Sequence, residues 1–197
     1  MEHPFSPAGL DAESAENAAS ILQSRLASLI DLELILKHVH WNVVGAGFIA
    51  IHELMDEQTD TVRGLIDEVA ERITTLGGIA AGLAGQVIDF READADYPLG
   101  RAPVMAHLGA LDKTYQRVAA AHREAIAELD EIDPVSGDLI TGQTATLEMN
   151  HWFVRAHLED TDGRLATRDS SSALDAATAA VYAPEPGEEE TEELQPA

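Results

Sequence analysis

The stretch that decides the fold is residues 37–56, which read KHVHWNVVGAGFIAIHELMD. One apolar-periodic segment ends within it, and a second begins after the glycines at positions 45 and 47. Glycine is typical of helix ends because it adopts left-handed backbone conformations without a steric penalty. The stretch therefore predicts two long helices joined by a short turn, with His40 near the end of the first and His52 near the start of the second.

Helical periodicity of apolar residues recurs in four segments, and no strand pattern is found. The links between the first and second segments and between the third and fourth are short. Asp133-Pro134 ends the third segment, because proline interrupts a helix, and the fourth segment follows it. The second connection, about residues 77–102, is longer, and a short helix is expected in it near residues 84–92. These features predict an all-α four-helix bundle. The apolar stripes cover residues 22–39, 48–76, 104–129 and 140–158.

Composition bounds the domain organisation and excludes several kinds of site. The 197 residues suit one domain, carry 36 acidic and 12 basic side chains, and include no cysteine, which excludes thiolate metal sites and disulfides. We predict a flexible N-terminal segment over 1–10, the bundle over 11–160 and a C-terminal extension over 161–197. After Val181 the extension becomes a prolyl, acidic stretch without a basic residue, and we expect that stretch to be disordered.

The sequence offers no sign of membrane insertion. No apolar run approaches the roughly 20 residues that span a bilayer, and the first ten residues lack the basic and apolar parts of a signal peptide. We therefore expect a cytoplasmic protein. The formal net charge of −24 also opposes binding to nucleic acid or to anionic lipid.

Four potential metal ligands line one side of the second predicted helix. His52 and Asp56 are four residues apart, as are Asp67 and Glu71, and the eleven residues from 56 to 67 make about three turns. At about 1.5 Å rise per residue, His52 and Asp67 stand roughly 22 Å apart, whereas metal–ligand bonds are about 2.0 to 2.2 Å long. One ion therefore cannot contact both ends of the stripe within one chain.

Two copies of this helix could bring the two ends together. Packed antiparallel about a two-fold axis, they place Asp67 and Glu71 of one chain beside His52 and Asp56 of the other. His40 could supply a further nitrogen to the histidine end. Mixed imidazole and carboxylate donors suit Fe(II) or Zn(II) better than Mg or Ca, and open coordination positions would admit an oxidant.

This order of residues resembles the Dps family, the mini-ferritins named as DNA-binding proteins from starved cells. The resemblance covers about residues 11–160 and rests on five ligand types at intervals of 12, 4, 11 and 4. The series is similar to that family's complete inter-subunit ferroxidase site. Its members here are His40, His52, Asp56, Asp67 and Glu71.

The resemblance implies a hollow homododecamer with 23 symmetry, built from ferritin-like four-helix subunits. Such a cage is expected to oxidise Fe(II), preferentially with hydrogen peroxide rather than oxygen, and to store the ferric product as a mineral core. A two-electron oxidant at a paired iron site avoids release of hydroxyl radical. The implied enzyme is a ferroxidase that detoxifies iron and peroxide together, with Zn as a candidate substitute at the site.

The resemblance implies roles for five further residues. Glu53 and Glu57 would present acids to the cavity for mineral nucleation. Asp133 and Asp138 flank the turn between the third and fourth helices, where such cages line three-fold pores with aspartates, although helix termination explains both residues equally well. Trp41 would lie near the iron and quench radicals, but packing or an interface contact also accounts for it.

A different kind of iron site is disfavoured. Glu148-Met-Asn-His151 matches the Glu-x-x-His motif of di-iron sites inside a bundle, but such sites need two copies of the motif and a glutamate from each remaining helix. Only this copy is present. His38 points away from His40, and His122 lies on the apolar stripe of the third helix, so we predict neither as a ligand.

Two other functions stay open at this point. A DNA-compacting nucleoid protein is the main alternative, but the base-free tails predict little or no direct DNA binding at physiological salt, unless divalent cations bridge acids to phosphate. A helical-bundle hydrolase or binding module is the other, since fold alone does not fix function. The sequence shows no nucleophile with a convincing base partner for it.

Overall fold

The computed structural model of the protein describes residues 7–91 and 95–182. Its four long helices confirm the predicted bundle, and a seven-residue helix confirms the short helix expected in the second connection. In chain order the elements are α1 (Ala12–Asn42), β1 (Val43–Val44), α2 (Phe48–Thr75), α3 (Ala84–Phe90), β2 (Ala102–Pro103), α4 (Val104–Ile132), α5 (Pro134–Arg155) and α6 (Ala173–Val181).

The helix boundaries follow local signals in the sequence. Asp11 caps the N-terminus of α1, and its carboxylate accepts a hydrogen bond from the backbone N–H of Ser14 at 2.9 Å. The turn after α1 contains Gly45 and Gly47, whose φ angles of 96° and 74° lie in the left-handed region that favours glycine. Pro134 begins α5. The backbone N–H of the first helical residue has no partner within the helix, so proline, which lacks this N–H, is tolerated there.

The bundle consists of two helix pairs, α1 with α2 and α4 with α5, which pack on each other through α1 and α4. Leucines of α1 and branched residues of α2 and α5 fill the space between them, and removal of this apolar surface from water stabilises the bundle. The largest fully buried side chains include Leu22, Leu26, Leu32, Leu36, Met55, Leu108, Leu111 and Tyr115.

Three elements were not predicted, namely the two short strands and the last helix. β1 and β2 form a short parallel pair that joins the α1–α2 turn to the start of α4, and two residues per strand are too few to show an alternating pattern. α6 packs on α4, although its core-facing residues are mostly alanines and give a weak apolar signal. A Cβ atom at Gly109 would lie 2.4 Å from the carbonyl oxygen of Ala176, so this close approach requires glycine.

Two predictions concern residues beyond the described ranges. The N-terminal segment 1–10 is described only from Pro7, and the acidic tail is described only as far as Tyr182. Within residues 7–91 and 95–182, no helix is long and apolar enough to cross a membrane.

Candidate metal centre

Two histidines meet where α1 turns into α2. His40 lies at the end of α1 and His52 near the start of α2, and the glycine turn folds one helix back beside the other. Their rings stack with centroids 3.6 Å apart and planes 20° from parallel. The structure thus brings together the two histidines that the sequence predicted as ligands.

Each of these rings forms a hydrogen bond with the backbone carbonyl of the other histidine. The Nδ1–H of His40 donates to the carbonyl oxygen of His52 at 2.8 Å, and the Nδ1–H of His52 donates to that of His40 at 2.9 Å. Because a carbonyl oxygen only accepts, the proton of each neutral ring must be on Nδ1. Both Nε2 atoms therefore carry the lone pair that a metal ion binds, and the rings are already oriented.

Asp56 adds a carboxylate to the two histidines. Its Oδ1 lies 2.6 Å from the Nζ of Lys37 and 3.2 Å from the Nδ1 of His40. The hydrogen bond from Lys37 holds the pKa of Asp56 below its ordinary value, so the carboxylate is ionised at neutral pH. His40, His52 and Asp56 form what we call the open cluster, because half of the Asp56 side chain remains exposed to solvent.

Asp67 and Glu71 lie farther along α2 and are exposed. Fifteen residues separate His52 from Asp67, which corresponds to about 22 Å along the helix. In the described part of the chain, no group of three or more histidine, aspartate or glutamate side chains is arranged to hold a metal ion. One subunit therefore assembles the histidine end of the predicted ligand series but does not join it to the acidic end.

The other predicted site residues occupy different surroundings. Glu53 and Glu57 are exposed on α2 beside the open cluster, and Trp41 is 71% exposed, with its ring centroid 5.7 Å from the Nζ of Lys37. Asp138 is exposed, whereas Asp133 is buried.

Asp133 already has strong partners inside the subunit. Its Oδ2 accepts hydrogen bonds from Arg72 at 2.6 Å and from Ser136 at 2.5 Å. Burial raises the pKa of Asp133, but the bonds from Ser136 and Arg72 outweigh it and lower the pKa below its ordinary value. This arrangement matches the helix-termination interpretation, because Asp133 ties the start of α5 to α2.

The Glu-x-x-His motif does not form a site inside the bundle. Glu148 turns to the surface and pairs with Arg123, while the Nε2 of His151 lies 2.7 Å from Oδ1 of Asp112. The bundle interior nearby contains a hydrogen bond between uncharged groups, in which the hydroxyl of Tyr115 donates to the Oε1 of Gln58 at 2.8 Å.

The two remaining histidines flagged in the sequence also have structural partners. His38 donates from Nε2 to the carbonyl oxygen of Leu99 at 2.7 Å. His122 is fully buried, and its Nδ1 donates to the carbonyl oxygen of Val118 at 3.0 Å.

Sequence reasoning missed two residues that matter to these clusters. Lys37 was inside the quoted stretch, three residues before His40, and an i, i+3 pair on a helix was a usable signal. Asp112 lies among the apolar residues of α4 and is fully buried. A charged residue on an apolar stripe indicates a buried partner, but the sequence did not indicate which residue that partner was.

Known proteins resemble this chain over most of its length. A family model for the ferritin-like domain matches residues 19–163. The DNA protection during starvation protein of Mycolicibacterium smegmatis is 46% identical over 173 residues, covering 88% of this chain and 94% of that protein. The fine tangled pili major subunit of Haemophilus ducreyi is 46% identical over 157 residues, covering 80% and 82%. The solved structure of Mycobacterium smegmatis Dps has a TM-score of 0.82 at 47% identity, covering 85% and 95%.

Proposed function

Because the chain belongs to the ferritin-like family and, within it, to the Dps proteins, we propose that it oxidises Fe(II) at sites shared between two subunits of a cage. The observation that carries the proposal is the stacked pair of histidines, whose Nδ1 atoms are both bound to backbone carbonyls so that Nε2 remains for a metal ion, beside the ionised Asp56. Imidazole and carboxylate donors with open coordination positions suit Fe(II). Iron is the substrate, and its ferric product is stored in the cage as mineral.

The second subunit supplies the acidic end of the site. Asp67 and Glu71 are exposed on α2 and too distant from His52 of their own chain to share an ion with it. An antiparallel second copy of α2 brings its Asp67 and Glu71 to the open cluster, and two-fold symmetry gives two such sites per pair. The pairs then assemble into a homododecamer with 23 symmetry.

The preferred oxidant in this proposal is hydrogen peroxide. Each of two Fe(II) ions gives one electron, the O–O bond breaks, and with two protons the products are two Fe(III) ions and two water molecules. Pairing the irons keeps both electrons within one site and avoids hydroxyl radical. Oxygen is the alternative oxidant, and Zn(II) would occupy the same donors without redox chemistry.

An apolar surface on α1 and α3 supports docking of a second copy. Two grooves of about 430 and 310 Å³ meet at Leu34, and one of them extends to Trp41. Leu34, Trp41 and Ile88 are each more than half exposed in the single subunit. Contiguous apolar patches of this kind are typical of protein interfaces, and this one adjoins the end of α1 that carries His40.

Three exposed acids have roles in the passage and deposition of iron in this proposal. Glu53 and Glu57 neighbour the open cluster on α2 and would nucleate mineral in the cavity. Asp138 would line a pore and concentrate Fe(II) there. We assign no pore role to Asp133, since it is buried against Arg72 and Ser136.

Subunit mixing tests the shared site directly. One variant carries His52→Ala, the other carries Asp67→Asn with Glu71→Gln, and each alone is expected to lose most Fe(II) oxidation. Random pairing of equal amounts leaves about a quarter of all sites intact, because half of the pairs are mixed and each mixed pair keeps one undamaged site. We expect about a quarter of the parent rate, measured with peroxide and with oxygen.

Light scattering gives the native mass of every sample and shows whether the cages have formed. Mixed cages of the expected mass that recover no activity would contradict the shared site. Full activity in His52→Ala cages would contradict the assignment of the histidine end.

DNA compaction is the second candidate function. The name of the relatives, DNA protection during starvation protein, favours a role toward DNA, whereas the charge of this chain opposes it. Phosphate contacts need lysine or arginine, and the chain has only 12 such residues against 36 acids. A gel shift with metal-free cages, without divalent cations, separates the two functions. A salt-sensitive DNA complex under those conditions would favour the second.

A further inference from the structure

Lys37 places a positive charge inside the proposed iron site. Its Nζ lies 2.6 Å from Oδ1 of Asp56, and only a fifth of its side chain is exposed. Resting on the proposed function, we infer that Lys37 is a positioning residue that occupies Asp56 while the site is partly empty. A second divalent cation must displace this ammonium before it can use the carboxylate.

The charge balance of the shared site supports this role. Asp56 and the two acids of the second subunit give three negative charges, and imidazole binds a metal ion as an uncharged ligand and adds none. With Lys37 present the balance is −2, which one divalent cation neutralises. Without Lys37 it is −3, which favours a second divalent cation more strongly. Lys37 therefore separates the binding of the first ion from that of the second.

The ammonium bound to Asp56 also lies over the ring of Trp41. Trp41 follows Lys37 by one helical turn, and its ring centroid is 5.7 Å from the Nζ. The face of an indole ring attracts a cation at such distances. The flexible four-carbon stem of lysine allows the ammonium to move when a metal ion displaces it from Asp56. Metal binding at Asp56 should therefore change the surroundings of Trp41.

A zinc titration tests this exchange without redox chemistry. The chain has two tryptophans, so Trp152→Phe leaves Trp41 as the only reporter. In this background, Lys37→Gln is expected to bind the second Zn(II) about tenfold more tightly than the parent, since repulsion by the ammonium is removed. The Trp41 fluorescence change that accompanies the second ion in the parent should also disappear.

Two comparison variants isolate the effect of the charge at this position. Arg164→Gln removes one positive charge from an exposed loop and should leave both binding steps unchanged. Lys37→Arg keeps the charge and should retain the parent's stepwise binding. Lys37→Met keeps the apolar stem without the charge and should behave like Lys37→Gln, which guards against a folding defect peculiar to one variant.

Calorimetry and fluorescence together distinguish failure of this inference from failure of the proposed function. Binding constants of Lys37→Gln and Lys37→Met that equal those of Arg164→Gln would overturn the role of Lys37. If His52→Ala still abolished zinc binding in that case, the proposed site would stand. If His52→Ala bound zinc like the parent, the proposed site itself would be wrong.

Discussion

Two clusters in the described part of the chain combine histidine with aspartate, and they are built in opposite ways. In the open cluster, His40 and His52 use their Nδ1 atoms for backbone carbonyls and leave both Nε2 atoms free. In the second cluster, His151 uses Nε2 to bind Asp112 at 2.7 Å. The choice of nitrogen decides whether a histidine is ready for a metal or is already committed to a structural partner.

The two aspartates, Asp112 and Asp56, also differ in how deeply they are buried. Asp112 is fully buried and accepts hydrogen bonds from His151, from Thr167 at 2.8 Å and from Gln116 at 2.9 Å. We call these four residues the closed cluster. It joins α4, α5 and the C-terminal extension, whereas Asp56 is half exposed and has Lys37 as a displaceable partner. The contacts of the closed cluster indicate a contribution to stability, and the proposed function assigns the chemistry to the open cluster.

The largest expected effect comes from replacing Asp112 by alanine, with the same replacement of Asp56 as the comparison. Asp112→Ala leaves the buried Thr167 hydroxyl and the half-buried His151 ring without their acceptor, and we expect a loss of about 3 kcal/mol in the free energy of unfolding. Asp56→Ala should leave unfolding nearly unchanged but weaken zinc binding. Urea denaturation at a fixed protein concentration and zinc calorimetry measure the two properties. Equal destabilisation by both variants would contradict the division between the clusters.

A smaller effect is expected from the hydroxyl of Thr167. Thr167→Val removes one donor to Asp112 and should reduce the free energy of unfolding by about 1 kcal/mol. Thr61→Val is the matched control, since the Thr61 hydroxyl is exposed and donates to the Glu57 carbonyl one turn earlier. Iron oxidation should not change in either variant. A Thr167→Val protein as stable as Thr61→Val would show that the extension is not held through Asp112.

The smallest expected effect concerns how the free energy of unfolding changes at acidic pH. Burial raises the pKa of Asp112, but hydrogen bonds from His151 and Thr167 outweigh it and hold the pKa below the ordinary 3.8. Its stabilising contribution is therefore complete above about pH 4 and is lost as the pH falls through the folded-state pKa. Relative to Asp112→Asn, the parent should lose its extra stability only below about pH 4. A stability difference that stayed constant down to pH 3 would argue against an ionised Asp112.

Most of the fold follows from the sequence because its signals are local and repeated. The four apolar stripes, the glycines at 45 and 47 and Pro134 predict the four long helices, and the bounds of α2 and α4 agree to within a few residues, whereas α1 begins ten residues before its stripe. α6 escaped prediction because its contact with α4 depends on Gly109, which is 67 residues away from Ala176 in the chain. The β1–β2 pair escaped because its hydrogen bonds depend on the tertiary approach of two turns.

The site was predictable in part. Spacing along α2 indicates which residues share a face, and it indicated that one chain cannot close the ligand series. Spacing does not reveal which ring nitrogen is used, since that depends on carbonyl groups of the neighbouring helix. It also does not reveal that the Asp56 carboxylate has Lys37 as a partner from α1.

The contact between Gly109 and Ala176 has a practical consequence. Because α6 lies backbone to backbone against α4, the described part of the chain ends at residue 182 directly after an anchored helix. A peptide fused at that point would project from the same place and in the same direction on every subunit. Across a symmetric shell this would display an antigen or an enzyme as a regular array.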